Sequence, residues 1–186
     1  MQSTLALLEA REVQSVRMGD IAKRSGISRQ ALYLHFKSRA ELLIATTRYV
    51  EDIHDVDARL LPSRTARTGL ERLDAYIESW GEFLPKIQGI AKALIVMSET
   101  DSEAAAAWDD RMQAMRSGCA AAVKALKRDK QLSPQHTVEQ ATDILWMLMS
   151  FQNWQQLTQA CGWPPATYGK KLKQMARSIL VVDAGG

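Results

Sequence analysis

The stretch from Asp20 to Phe36 constrains the fold of this chain more than any other. Met18 to Ser25 has the apolar spacing of one short helix, and Gly26 follows it. Glycine reaches positive φ without penalty, so the chain can leave a helix there and turn at once. Ser28 is then placed to cap a second short helix, roughly Arg29 to Phe36. Ala22 is small where two helices must cross closely, and Ile21, Ile27, Leu32 and Phe36 are spaced to share one miniature core. This is the pattern of a helix-turn-helix. Turning those apolar groups inward leaves Ser28, Arg29, Gln30 and Tyr33 outward at the start of the second helix.

In such a motif the N-terminal residues of the second helix meet base edges in the major groove. Arginine matches the two acceptors of guanine and glutamine matches adenine, which assigns Arg29 and Gln30 to base reading. Tyr33, His35, Lys37 and Arg39 are within reach of phosphates. Ser38 and Glu41 have capping-box spacing, and the helix they open offers backbone amides near Arg39 to a further phosphate. A solvated helical hairpin would show the same polar face. The joint occurrence of the glycine turn, the small alanine, the apolar spacing and the capping box weighs against it. Charge is distributed accordingly. Residues 1–50 carry eight Lys and Arg against four Asp and Glu, while the rest carry sixteen against seventeen. A basic head on a nearly neutral body suits attraction to phosphates.

The remainder reads as helix after helix, with no convincing strand or repeat. A first helix around Leu5 and Leu8 fades near Val13, and the helix opened by Ser38 is expected to run to about Arg59. Pro62 to Thr68 reads as a loop, followed by an amphipathic helix through Leu70, Leu73, Ile77, Trp80 and Leu84 that Pro85 interrupts. A short helix spans about Ile87 to Ser98. Thr100 and Glu103 have the spacing of another capping box, ahead of a helix carrying Trp108, Met112, Met115, Cys119, Ala122 and Leu126 on one face. Ser133 and Pro134 open a helix ending near Gly162, and Pro164 and Pro165 open the last. Five Pro and ten Gly, mostly at boundaries, favour long helices. The expected fold is all-α, with a helix-turn-helix head at 1–45 and a larger helical body at 46–186. No apolar run approaches the roughly 20 residues that span a bilayer, and no signal peptide is evident. Cys119 and Cys161, without a CxxC pair, read as buried, reduced thiols of a cytoplasmic protein.

The segments Asp-Ile-Ala, Gly-Ile-Ser, Leu-Tyr-Leu-His-Phe and Ser-Arg-Ala-Glu-Leu-Leu, between Met18 and Leu43, together resemble the signature of the TetR/AcrR regulators. The resemblance covers about a seventh of the chain. It implies about nine helices, the first three binding DNA, a homodimer made by the last two long helices, and an effector pocket in the body. It also implies a repressor that binds a palindromic operator and leaves it when a small molecule enters. Ser28, Arg29, Gln30, Tyr33 and His35 fall on the DNA-contacting helix, and Arg39 stands where the family usually has a phosphate-contacting lysine. Two positions depart from the pattern. Arg17 occupies a place where a capping Thr or Ser is common, and Glu12 replaces a customary Gly.

The body is rich in Trp and Met. Trp80, Met97, Trp108, Met112, Met115, Trp146 and Met149 are the candidates for lining an effector site, with Glu78, Glu82, Glu99, Arg111 and Gln113 as polar groups to orient a guest. Core or dimer-interface packing is the commoner explanation for any one of these Trp and Met residues. Thioethers and flat rings adapt to varied guests, which points to an apolar, aromatic or polycyclic effector. Apolar residues on more than one face of 134–160 and 165–182, among them Leu145, Leu148, Trp154, Leu172, Met175 and Ile179, leave a surplus that a two-fold partner would cover. Glu51 and His54 form Glu-x-x-His, half of a di-iron motif. No second copy exists, so residues 51–57 read as solvated charges rather than a metal site. No nucleophile or phosphate-loop motif is present, so neither enzyme chemistry nor a cofactor is expected. The rival readings are a helical enzyme or metal bundle using 51–57, and a dimeric adaptor without DNA binding.

Overall fold

The computed structural model describes residues 1–10 and 16–182. Val13 and Glu12, where the first helix was expected to fade and the family pattern to break, lie outside the described residues. Eleven α-helices occur among the described residues: α1 (Gln2–Leu8), α2 (Met18–Ser25), α3 (Arg29–His35), α4 (Arg39–Ile53), α5 (Val56–Arg64), α6 (Gly69–Phe83), α7 (Gln88–Ser98), α8 (Ser102–Arg128), α9 (Val138–Leu148), α10 (Phe151–Gln155) and α11 (Pro165–Leu180). A 3₁₀ turn covers Leu84–Ile87 and a π-helical turn Gln156–Ala160. Only two residues separate α4 from α5 and α9 from α10. Taking each pair as one broken helix gives the expected nine. The sole β feature among the described residues is an isolated bridge between Leu132 and Val181. None of these helices is long and apolar enough to cross a membrane.

The chain forms two compact units, residues 1–54 with 86–113, and residues 55–85 with 114–186. The first unit thus takes in α7 and the start of α8 along with the motif-bearing segment. Its core gathers Leu8, Ile21, Ala22, Leu32, Leu42, Leu43 and Val50 from α1 to α4, with Ile90, Leu94, Met97, Ala104 and Ala107 from α7 and α8. In the second unit α6 packs on α5 and α11, and α11 packs on α9. Leu73, Ile77, Leu126, Leu145, Tyr168 and Leu172 are buried there.

Several boundaries differ from those expected. The long fourth helix breaks at Asp55, which adopts a left-handed conformation (φ 50°), tolerable for Asp because its short polar side chain suits that region. Pro62 lies inside α5 instead of starting a loop. It is exposed near the end of a nine-residue helix, where little is lost by interrupting the backbone ladder. The loop is then short, and Thr68 closes it with a full capping box to Glu71. The box expected at Thr100 is replaced by Asp101, whose carboxylate accepts from the amides of Glu103 and Ala104 at 3.1 and 3.2 Å. Ser133 does not start a helix: its amide donates to the Leu180 carbonyl, and Thr137 caps α9 in a box with Gln140. Cys119 is buried, and burial pushes its thiol up to about 12, so it stays protonated; Cys161 is exposed, contrary to expectation.

Close helix approach in the second unit depends on Gly118. A Cβ there would overlap the hydroxyl of buried Tyr76, which donates to the Met115 carbonyl at 2.8 Å. Gly81, within α6, has only ordinary contact with Tyr168 at 4.0 Å. Gly118→Ala is therefore predicted to destabilise by about 1–3 kcal/mol. Gly81→Ala should instead stabilise by about 0.5–1 kcal/mol through helix propensity. Urea denaturation of both variants checks the pair, and equal effects of the same sign would be inconsistent with this packing.

Candidate nucleic-acid interface

Between α2 and α3 the chain turns as the sequence requires. Gly26 takes φ 69° and ψ 25°. Its amide donates to the Lys23 carbonyl at 3.3 Å and the Ile27 amide to the Ala22 carbonyl at 3.1 Å, the paired bonds of a Schellman cap. The Ser28 side chain accepts from the Ala31 amide at 3.0 Å and starts α3. Ile21, Ala22 and Leu32 are buried between the helices and Phe36 packs against them. Ile27, expected in that core, is 42% exposed: it follows the glycine directly and the turn carries it to the surface.

Ser28, Arg29, Gln30, Tyr33, His35 and Lys37 are all exposed or at the rim of this surface. The Arg29 guanidinium lies over the Tyr33 ring, 5.6 Å from its centroid, which holds both side chains in one orientation. An open groove of about 720 Å³ runs beside α3, lined by Arg17, Gly19, Arg29, Tyr33, Lys37 and Arg39 among others. It thus collects four of the residues expected at DNA. Arg17 joins them, although the sequence marked it only as a departure at a capping position. It is exposed and makes no side-chain cap. A basic residue at a position where caps are usually short was the available signal.

Arg39 requires a correction. Its side chain is only 15% exposed, and its guanidinium is fully engaged inside the first unit. It donates to Glu103 at 2.9 Å, to the Val16 carbonyl at 3.1 Å, and to both oxygens of Asp101. Burial opposes its charge, but the two carboxylates outweigh burial and hold it firmly protonated. The start of α4 is also closed to a phosphate. Glu103 accepts from the Ala40 amide at 3.1 Å, Ser38 from that of Glu41, and Glu41 from that of Lys37. The Glu41 side chain therefore reaches Lys37, not the Ser38 amide of a full capping box. An acidic side chain sits where an anion was expected.

The candidate effector residues divide between the units. Met97, Trp108 and Met112 belong to the first, Trp80, Met115, Trp146 and Met149 to the second. Met97 is part of the first unit's core and Trp108 packs against it. Met115 and Met149 are buried in the second, while Trp80 and Trp146 are half-buried. Beside Trp80 lies a cavity of about 10 Å³, also lined by Val56, Arg59, Leu60, Ser79 and Phe83. That is room for about one water. Of the polar candidates, Glu78 pairs with Lys173, Glu82 with Arg59, and Arg111 with Glu51 and Asp110. Glu99 and Gln113 are exposed. Glu51 is thus a half-buried ion-pair partner, not a solvated charge. Among the described residues no three His, Cys, Asp or Glu side chains are grouped to hold a metal ion.

Residues 1–46 match the family model of bacterial regulatory proteins, tetR family. The match is confined to that N-terminal quarter of the chain, which is similar to the DNA-binding domain of those regulators. The transcriptional regulator EthR of Mycobacterium tuberculosis is 27% identical over 133 residues, which span 69% of this chain and 59% of that relative. FadR of Bacillus subtilis, solved with stearoyl-CoA, superposes with a TM-score of 0.73 at 12% identity, over 95% of both chains. NalD of Pseudomonas aeruginosa, the secondary repressor of a multidrug efflux pump, superposes at 0.67 with 19% identity, over 99% of this chain and 94% of its own. At such identities the structural likeness establishes the fold alone, shared with these proteins over nearly the whole chain. The α2–α3 pair is its helix-turn-helix.

The Arg39 cluster gives the first unit a defined pH response. Burial would raise the Asp101 carboxyl, but the Arg39 hydrogen bond and the amides of Ala104 and Glu103 lower it below the ordinary range. A depressed carboxyl stabilises the fold above its unfolded pKa of about 3.9, and that stabilisation is lost as the pH falls through the folded value. Asp101→Asn is predicted to cost about 1–2 kcal/mol at pH 7. The gap between variant and wild type should narrow as the pH falls below about 4. Urea titrations across that range check this, and a gap of constant size would count against the assignment.

Proposed function

We propose that the chain is a transcriptional regulator that binds a two-fold operator as a homodimer, with α3 in the major groove, and leaves it when a small molecule binds the body. The carrying observation is the α2–α3 pair itself: a capped, sharply turned helix-turn-helix whose outward face presents Arg29, Gln30, Tyr33 and His35, flanked by Arg17 and Lys37. Arg29 and Gln30 read base edges. Arg17, Tyr33, His35 and Lys37 serve the backbone, and Ser28 chiefly fixes the start of α3.

Dimerisation through α9 and α11 is supported by how their apolar residues separate. Leu145 and Leu172 are buried in the subunit, as is Trp154 of α10. Met147 is 53% exposed and Ile179 36%, with Trp146, Leu148 and Met175 half-buried. A two-fold partner would cover that second set and set two α3 helices about 34–36 Å apart, one helical turn of DNA. The effector reading draws support from the adaptable Trp and Met side chains and from FadR, whose solved complex holds stearoyl-CoA. Its walls are taken to be Trp80, Met115, Trp146 and Met149, the four candidates that lie in one unit. The proposed guest is apolar. It shifts affinity by favouring a head spacing that mismatches the operator.

Fluorescence anisotropy with duplexes selected by the wild type tests the assignment of roles. Arg29→Ala and Gln30→Ala should each relax preference at defined positions by about 1–3 kcal/mol. Arg17→Ala and Lys37→Ala should weaken binding to all sequences and reduce the log–log salt slope by about 0.9 each. Arg39→Ala should lower stability without that change in slope. Unaltered sequence preference in both α3 variants would refute this orientation of the helix.

A further inference from the structure

Leu34 is 87% exposed, more than any other large apolar side chain among the described residues. A lone exposed leucine is unremarkable on an ordinary surface. Its place on α3 is what matters. At 100° per residue, Leu34 lies 200° around the helix from buried Leu32, and Gln30 lies 160° away. These two side chains therefore straddle the line pointing directly out of the domain. Arg29 and Tyr33 lean to the flank that faces the basic groove with Arg17 and Lys37. The residue that leads into any partner of α3 is thus an aliphatic one beside a carboxamide.

We propose that Leu34 is a specificity residue that packs on the 5-methyl group of a thymine in the major groove. The inference rests on the reading that α3 enters that groove. Thymine is the one base that presents an aliphatic group there, and a leucine 87% exposed in the free protein has most of its side-chain surface left to bury. Leu34 follows Gln30 by four residues, a rise of about 6 Å along α3, which is about two base-pair steps. Gln30 on an adenine and Leu34 on a thymine methyl one or two steps away would make each half-site A·T-containing at defined positions. Arg17 and Lys37, on that one flank, hold the backbone and leave this apolar contact to the bases.

Replacing thymine by deoxyuridine removes the methyl and nothing else, which isolates the contact. Duplexes are first selected from a random pool by the full chain, and each thymine of the best binder is then replaced in turn. One thymine per half-site should stand out, with deoxyuridine weakening wild-type binding about fourfold per half-site, the value of one buried methyl. Leu34→Ala should bind the thymine duplex more weakly and be indifferent to that replacement, with a nearly unchanged melting curve because so little of Leu34 is covered in the free protein. If Leu34→Ala kept the wild-type sensitivity to deoxyuridine, or lost affinity equally for every duplex, the thymine contact would be refuted while the regulator reading stood. If the pool yielded no preferred duplex, both would fall together.

Discussion

The guanidinium of Arg39 is held at once by a carbonyl just before α2 and by two carboxylates at the start of α8. A planar fork of five donors can make such a junction; an ammonium, with three donors on a flexible stem, cannot match it. The junction fixes the beginnings of α2, α4 and α8 to one another inside the first unit. With the core around Leu42 and Leu43 it forms the platform on which α3 stands outward. It also takes Arg39 out of the positive surface. On the proposed reading, attraction to phosphates is left to Arg17 and Lys37, which line the groove.

A second partly buried ion cluster in the same unit has the same character. Arg111 on α8 binds Glu51 on α4 and its own neighbour Asp110, and Arg48 adds a longer contact to Asp110 at 3.5 Å. Burial raises the Glu51 carboxyl, and Arg111 offsets this only in part. Such pairs contribute more to the register between helices than to net stability, because desolvation cancels much of their attraction. In this chain they bind α8 to α4 along the length that carries the head.

The helix-turn-helix was legible because its determinants are local: Gly26 for the turn, Ser28 for the cap, Ala22 and Leu32 for the crossing. What escaped the sequence lies at long range or in backbone detail. Asp101 and Glu103 are more than sixty residues from Arg39, and no pattern near Arg39 announces that its charge is already matched. The break at Asp55 depends on a left-handed residue that is not glycine, and Pro62 inside α5 reverses the usual reading of proline as a boundary. Ile27 looked like core by type, yet the turn beside it turns it out. In the first unit, Met97 lies in the core and Trp108 packs against it, as residues of a periodic apolar stripe ordinarily do. The same composition would describe a packed core or a lined cavity, which is why the effector reading depended on geometry.

On the proposed reading, duplex DNA meets the outward face of α3. A photo-reactive benzophenone residue placed at Gln30, which is exposed on that face, tests it directly beside the same residue at Gln152, exposed on α10 in the second unit. Irradiation of the full chain with a selected duplex should yield a DNA crosslink from position 30, suppressed by unlabelled specific duplex, and none from position 152. A crosslink from position 152 with none from position 30 would contradict the account.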